Sequence, residues 1–325
     1  MNPTASEPAR DTTSPDAIAR VDMQEAGEVA KSQSVTSAGK LPVSVIVAAR
    51  NEEKNLPRCL EALRNVGEVY VVDSQSTDAT PEIARSFGAK LVQFRYQGGW
   101  PKKRQWAMEN LPLAFDWVLL VDADEAITPE LMEEIREAIQ APDRNGYYIS
   151  LRMYFLGRVL RHGDASFWKL ALFRRGKGRY ECRLKDQDAS MADMEVHEHV
   201  VVDGSTFHLK NPLIHHNVES LSRYIQKHDE YSNWESRVLS QGERGQADSA
   251  AVGTQARRRR WLKKWLFALP GSPVLLFFYR YFLRLGFMDG VPGLIYCGFQ
   301  AIQMFHTKAK IYELKAGLRK KASRN

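Results

Sequence analysis

Three carboxylates follow an unbroken apolar run in Trp117-Val118-Leu119-Leu120-Val121-Asp122-Ala123-Asp124-Glu125. Asp122 and Asp124, one residue apart where a buried segment ends, could both approach one cation. Hard oxygen donors of this kind suit Mg²⁺ or Mn²⁺, and those ions suit a diphosphate. The plainer reading of the same residues is an Asp-rich turn that caps a helix beginning near Pro129. Other residues point the same way. Glu52 follows Val45–Ala49 through Arg50 and Asn51, and Asp73 ends the run Glu68-Val69-Tyr70-Val71-Val72. Lys102-Lys103-Arg104 stands between the third apolar run and the acidic loop, where it could meet phosphate or form a solvated face. Arg174 and Arg175 follow another apolar run and could clamp phosphate with planar, bidentate guanidinium groups. His215 or His216 could add an imidazole to a metal site, or simply cap a helix.

The elements that would position these groups alternate. Pro42–Ala49 reads as a strand, followed by a helical pattern through Leu56, Cys59, Leu60 and Leu63. Glu68–Val72 is a second strand. Ser74–Asp78 is a turn and cap before a helix over Thr80–Phe87. Ala89–Phe94 is a third strand, Lys102–Asn110 a short basic helix, and Trp117–Asp122 the strand that delivers the acids. Such alternation predicts an α/β fold with a parallel sheet, whose ligands collect beyond the carboxyl ends of the strands. From 146 to 215 the pattern changes to shorter strands at Tyr147–Tyr154, Lys169–Arg174, Val196–Val202 and Thr206–Leu209. Residues 218–240 read as an amphipathic helix. No Gly-x-Gly-x-x-Gly follows a strand, which disfavours a dinucleotide site, and no Gly-x-x-x-x-Gly-Lys loop is present, which excludes a P-loop. Side chains and a metal must then hold any nucleotide.

The 325 residues carry a net charge of +7, unevenly spread. Residues 256–325 hold 15 Lys and Arg against 2 Asp and Glu, so the preceding 255 residues carry −6. That asymmetry points to a polyanionic surface. Trp, Phe and Tyr interleave with the basic residues, so an anionic membrane is expected there and nucleic acid is not. Leu266–Leu283 and Leu285–Phe305 are apolar, yet Pro270, Gly271, Pro273 and Arg280 break the first and Asp289, Gly290, Pro292 and Gly293 the second. A spanning helix needs about 20 clean apolar residues, so helices lying in the interface are expected. Cys59, Cys182 and Cys297 match neither a zinc spacing nor a disulfide framework, which favours a reducing compartment. No signal peptide is apparent. The expected organisation is a disordered tail over 1–40, a catalytic domain over 41–240 with halves at 41–140 and 141–240, a linker over 241–256, and a basic, aromatic helical extension over 257–325.

Val45-Ile46-Val47-Ala48-Ala49-Arg50-Asn51-Glu52-Glu53, Val71-Val72-Asp73-Ser74-Gln75-Ser76-Thr77-Asp78 and Val121-Asp122-Ala123-Asp124-Glu125 together resemble the family 2 glycosyltransferases of GT-A fold, in order and spacing, over about residues 42–140. Residues 141–215 are similar, more narrowly, to bacterial enzymes that glycosylate lipopolysaccharide core or exopolysaccharide. That likeness rests on Arg161-His162-Gly163-Asp164, Leu172-Phe173-Arg174-Arg175-Gly176 and Val196-His197-Glu198-His199-Val200. The resemblance implies a mostly parallel sheet flanked by helices. It implies an inverting, metal-dependent transfer of a hexose from a UDP-sugar to a saccharide or lipid-linked acceptor, on the cytoplasmic face of the membrane. Carried over residue by residue, Asp73 would accept a hydrogen bond from the uracil. Ala48, Arg50 and Glu52 would line the base and ribose pocket, and Lys103 and Arg104 would lie near the phosphates. Asp122 would contact ribose or donor sugar, and Asp124 would hold the metal on the diphosphate; of the two histidines read above, His216 is the candidate second ligand.

Inversion needs a general base on the acceptor side. In this fold it comes from the chain after the acidic loop, and this sequence lacks the Glu-Asp pair that supplies it in many relatives. Glu198, at the expected end of a strand, is the first candidate, Asp164 the second and Glu195 the third. Two other classes compete: a nucleotidyltransferase, which usually carries a Gly-rich loop where this chain has Arg50–Glu53, and a non-enzymatic membrane or nucleic-acid adaptor built on a degenerate domain.

Overall fold

The strand β1 (Leu41–Ala49) is buried over almost its whole length. Its side chains alternate between two separate cores, as a pleated strand covered on both faces must. Val43, Val45 and Val47 join the first core and Ile46 the second. A computed structural model describes residues 39–182, 199–216, 220–241 and 269–322. The described residues belong to one compact unit. The expected tail over 1–40 lies almost wholly outside them, as do the linker from 242 and the basic stretch through 268.

β1 is followed by α1 (Leu56–Ala62), β2 (Val66–Asp73), α2 (Thr80–Ser86), β3 (Lys90–Gln93), α3 (Lys103–Asn110), β4 (Trp117–Asp122), β5 (Glu125–Ile127) and α4 (Pro129–Ala138). Then come β6 (Gly146–Phe155), β7 (Arg158–Val159), β8 (Ser166–Arg174), β9 (Gly178–Tyr180), β10 (Val200–Val202), β11 (Thr206–His208) and β12 (Leu213–His216). The main sheet runs β3-β2-β1-β4-β8-β6-β12-β5. Its first four strands are parallel. β8 then enters antiparallel to both β4 and β6, and β12 lies parallel to β6. The fold is therefore the expected α/β arrangement, with a parallel half and a mixed half.

Helices cover both faces because each has one apolar side to bury. Leu56, Cys59 and Leu60 of α1 and Leu131 and Ile135 of α4 close the first core. Ala107 of α3, with Leu111 just after it, closes the second, against Tyr70, Val72 and Leu120. At the start of α4, Thr128 Oγ1 accepts from the Leu131 N–H at 3.2 Å, so the helix near Pro129 is capped by Thr128 and not by an acid of the preceding turn.

The chain continues through α5 (Leu221–Gln241), α6 (Ser272–Phe278), a π-helical turn (Tyr279–Leu283), a 3-10 turn (Gly286–Asp289) and the long α7 (Gly290–Ala322). These pack on the far end of β6. Met153, Phe155, Tyr224, Tyr296 and Cys297 form one buried cluster with Phe277 and Tyr281 against it. On α5 and α7, Lys310 Nζ donates to Asp229 Oδ1 at 2.6 Å and Ser232 Oγ at 2.7 Å, and Thr307 Oγ1 to Glu235 Oε2 at 3.1 Å.

Candidate active site

Parallel register brings the acids to one rim. Ala49 pairs with Asp73 on one side of β1, and Ala48 pairs with Asp122 on the other. Both aspartates thus end their strands one residue apart in register, beyond the carboxyl edge where open α/β sheets bind ligands. Asp124 follows two residues later, and β5 then turns back against β12, with His215 opposite Glu125.

The loop after β1 is sewn to the loop after β2. Asn51, in the left-handed region at φ 53°, accepts from the Thr77 N–H at 2.8 Å and donates its own N–H to Ser76 Oγ at 2.7 Å. The Glu52 N–H reaches Thr80 Oγ1 at 2.8 Å. Asn tolerates this backbone better than most residues. Asp73 is fully buried. It accepts from the Ser76 N–H at 3.1 Å, from Gln93 Nε2 at 2.9 Å and from the Ser76 hydroxyl. A carboxylate has about four acceptor positions, so one remains.

The basic run at the start of α3 is not a solvated face. Lys102, Lys103 and Arg104 are all buried. Lys103 Nζ donates to the Ala49 carbonyl at 2.9 Å, at the end of β1. Lys102 Nζ lies 5.4 Å from the Trp234 ring centroid, and Arg104 is ion-paired to Asp122. Burial by itself would raise the Asp122 carboxyl, but the Arg104 guanidinium and then Lys169 outweigh it and hold that carboxyl well below the usual carboxylate range.

Glu125 is not a free loop carboxylate. It is buried in β5, receives the Asp122 N–H at 3.0 Å, and takes Lys169 Nζ at 2.7 and 2.6 Å on its two oxygens. Asp124 is also buried. Lys227 Nζ stands 3.2 Å from its Oδ2, and His215 Nδ1 lies 3.3 Å from its Oδ1. Burial opposes ionisation of Asp124, yet His215 and Lys227 together lower its carboxyl below the ordinary value. The Lys227 ammonium is disfavoured by burial and is nonetheless raised well above the usual lysine range by Asp124. Arg223, one turn earlier on α5, donates to the Arg50 and Asn51 carbonyls and to Glu52 Oε1 at 3.1 Å. Burial, then the nearby charge of Asp124, pushes the Glu52 carboxyl up.

Lys169, Arg223 and Lys227 are site residues that sequence reasoning missed. The one available signal was the spacing of Arg223, Lys227 and Tyr231, which puts all three on one face of α5.

Two positions need correction. Arg174 pairs in register with Trp117, at the entry of β4, five residues or roughly 16 Å from Asp122. Its guanidinium donates to the Arg144, Ala141 and Pro142 carbonyls and lies over the Trp117 ring, and Arg175 donates to the Leu113 carbonyl at 3.0 Å. Antiparallel β8 carries both arginines to the rim opposite the acids, so neither is a phosphate clamp there. The acid-rich turn also differs from expectation, since Glu125 begins a strand.

Asp164 sits on the loop entering β8, with Oδ1 held by Arg284 Nε at 2.6 Å. Arg50 is exposed at the mouth of the β1 loop. Of the two histidines, His215 aims Nδ1 at Asp124. His216 gives its N–H to the Asp124 carbonyl at 2.7 Å and sets its ring 4.9 Å from that of Tyr154. Glu198, with Glu195 and His197, lies outside the described residues.

Beside Asp124 one imidazole nitrogen bears on whether a cation would fit. His215 Nδ1 is buried and makes no hydrogen bond, and it faces Asp124 Oδ1 at 3.3 Å. Among the described residues no group of three or more His, Cys, Asp or Glu is placed to hold a metal ion. Two protein donors, Asp124 and His215, fit a cation whose remaining ligands are diphosphate oxygens and water.

Residues 44–206 match the profile of Glycosyl transferase family 2. The chain belongs to that family. It is a glycosyltransferase, and the nucleotidyltransferase and adaptor alternatives are set aside. It is similar to the lipopolysaccharide core biosynthesis glycosyltransferase LpsC of Rhizobium meliloti, 29% identical over 285 residues, covering 85% of this chain and 94% of the relative. An uncharacterized glycosyltransferase of Rickettsia conorii is 27% identical over 261 residues, covering 78% and 83%. Among solved structures, Staphylococcus aureus TarS 1–349 aligns with a TM-score of 0.36 at 17% identity, covering 85% of this chain and 91% of that one. Glucosyl-3-phosphoglycerate synthase from Mycobacterium tuberculosis, in complex with Mn²⁺, UDP and glucosyl-3-phosphoglycerate, aligns with 0.34 at 15%, covering 62% and 81%. These structural likenesses are slight, and the fold assignment rests on the sheet itself and on the family.

Proposed function

We propose that this glycosyltransferase moves a hexose from a UDP-sugar to a saccharide or lipid-linked acceptor in envelope glycan synthesis, with inversion at the anomeric carbon. The observation that carries the reading is the register of Ala48 and Ala49, which sets Asp73 and Asp122 on either side of β1 at one rim. The acceptor class draws on the likeness to LpsC, a lipopolysaccharide core enzyme, over 94% of its length.

Asp73, pre-set by Ser76 and Gln93, keeps one acceptor position for the uracil N–H. Ala48, Arg50 and Glu52 line the base and ribose, and Asp122, oriented by Arg104, takes the ribose or donor sugar. Lys103 and Arg104 stand on the phosphate side. Asp124 with His215 or His216 would hold Mg²⁺ or Mn²⁺, which when bound supplies Lewis-acid stabilisation of the departing diphosphate. The acceptor oxygen bonds to the anomeric carbon as the bond from that carbon to the diphosphate oxygen breaks. A carboxylate on the acceptor side, Glu198 first and Asp164 second, receives the hydroxyl proton. The reaction is placed at an anionic membrane on the cytoplasmic side.

The test is UDP release and saccharide product formation from UDP-sugars with Mn²⁺ or Mg²⁺. Asp124→Asn is expected to lower turnover by at least about a hundredfold, the scale of losing a group that acts on the leaving group, while the melting temperature stays within a few degrees. Full turnover in that variant, or in EDTA, removes the metal from the proposal.

A further inference from the structure

One set of apolar side chains in the C-terminal section packs inward on β6, and a second set points outward. Of the 19 large hydrophobic residues exposed among the described residues, 14 fall between Leu269 and Phe305, so exposure is concentrated in one section rather than scattered singly over the molecule. Phe278 and Phe282, on α6 and the π-helical turn, are half exposed, and Leu283, Val291 and Phe305 more so, with Leu283 at 76%. Monomeric soluble proteins rarely leave an apolar face of this extent uncovered.

The architecture states what can cover it. Among the described residues no helix is long and apolar enough to cross a membrane. The section bends through the π-helical and 3-10 turns, with Leu285 in the left-handed region at φ 58°. Its turn N–H groups are satisfied locally: Arg284 N–H to the Tyr279 carbonyl at 2.9 Å and Met288 N–H to the Leu285 carbonyl at 2.9 Å. A bent segment with internally satisfied turns suits shallow burial in a headgroup layer, not a crossing. The charge is complementary to an anionic leaflet, since residues 256–325 hold 15 Lys and Arg against 2 Asp and Glu.

The same section grips the loop that leads into β8. Asp289, itself buried, accepts the Arg161 N–H at 3.0 Å and the His162 N–H at 2.8 Å, with His162 Nδ1 3.2 Å from its other oxygen. The Gly163 N–H donates to the Arg284 carbonyl at 2.8 Å, Arg280 donates to the Gly163 carbonyl at 3.0 Å, and Arg284 holds Asp164. Five residues beyond Asp164, Lys169 touches Glu125 in the acidic rim. The apolar face and the catalytic rim are therefore tied through one short loop.

We propose that the exposed face of α6, the two turns and the first half of α7 docks into the headgroup region of an anionic phospholipid bilayer, and that the Arg161–Asp164 loop fixes the catalytic rim at the height of a membrane-borne acceptor. The acceptor clause rests on the glycosyl-transfer reading; the lipid clause does not.

The test is co-sedimentation of the full chain with vesicles of phosphatidylcholine alone or with phosphatidylglycerol, without donor. Wild type is expected to sediment with the anionic vesicles about tenfold more than with the neutral ones, and less as salt rises. The double variant Phe278→Glu/Leu283→Glu is expected to remain in the supernatant with an unchanged melting temperature and unchanged UDP-sugar hydrolysis. Wild type left in the supernatant of anionic vesicles overturns the proposal. So does a folded double variant that sediments like wild type, or a wild-type dimer in solution that the double variant converts to monomer. Loss of UDP-sugar hydrolysis in wild type counts only against the transferase reading and leaves the vesicle result standing.

Discussion

Four carboxylates at the rim each have a cation, Arg104 for Asp122, Lys169 for Glu125, Lys227 for Asp124 and Arg223 for Glu52, while Asp73 is held by Ser76 and Gln93. The aspartates were legible in the sequence because each ends an apolar run, which strands at the centre of a sheet require. Of their partners only Arg104 was, because a lysine or arginine on β8 or α5 looks like any solvated charge until tertiary pairing turns it inward. The pairing makes a prediction. In Lys227→Met the buried Asp124 loses its ammonium, at a cost of about 1–3 kcal/mol for a pair that is partly solvated, and a divalent cation can take the same place. Thermal unfolding should show Mn²⁺ raising the melting temperature of Lys227→Met more than that of wild type, and His215→Ala should abolish the Mn²⁺ shift in both backgrounds. A shift that survives His215→Ala and vanishes in His216→Ala would assign the ligand to the other histidine. The same logic applies at the opposite rim. Arg174→Ala leaves three carbonyls and the Trp117 face without their guanidinium, so it should lower the melting temperature while UDP-sugar turnover stays within about twofold of wild type.

At the scale of elements, the strands of the parallel half and the helices around them follow from apolar patterning, and their bounds shift by only a residue or two from expectation. Of the short strands, β10 and β11 fall within expected segments, but β5 and β12 were invisible. β5 and β12 have three and four residues, too few for a period, and they exist because each is paired across the sheet edge. That pairing is what sets His215 against Asp124. The C-terminal section shows the reverse case, in which small residues carry the packing. A Cβ built on Gly293 would lie 2.1 Å from the Gly286 carbonyl oxygen, and one on Gly286 would lie 2.7 Å from Cys297 Sγ. Because the obstacle to Gly293→Ala is backbone, α7 and the 3-10 turn must separate. A loss of about 3 kcal/mol is expected, read as a lower urea midpoint, together with faster proteolysis of the Arg161–Asp164 loop that the 3-10 turn holds through Asp289. An unchanged midpoint would show that α7 slides without cost and that the loop is held independently.

For the whole molecule, the coupling of α5 to α7 carries a pH signature that composition does not reveal. His228 packs its ring 4.0 Å from that of Tyr224 and 5.5 Å from that of Tyr231. Burial, then the adjacent Lys227 charge, pushes its imidazole down to about 4 from an ordinary 6.5, with a hydrogen bond to Gln303 of α7 opposing them weakly. Between those values the unfolded chain binds a proton that the folded chain refuses. Stability therefore rises with pH across this window: the contribution is complete above about 6.5 and is lost as pH falls toward 4. At about 1.4 kcal/mol per unit the span amounts to roughly 3 kcal/mol. The depressed carboxyls of Asp122 and Asp124 act in the same direction but lose their contribution only below the usual carboxylate range, whereas the raised Glu52 carboxyl works the other way above its ordinary 4.5, so the histidine's share is the part that a His228 variant removes. Melting temperatures measured from pH 4 to pH 7 should climb by several degrees in wild type, and His228→Gln, which cannot charge, should flatten the part between 4 and 6.5 while leaving the steeper acid limb intact. A variant that keeps the whole slope would place the acid sensitivity in the carboxylates of the rim and take His228 out of the account.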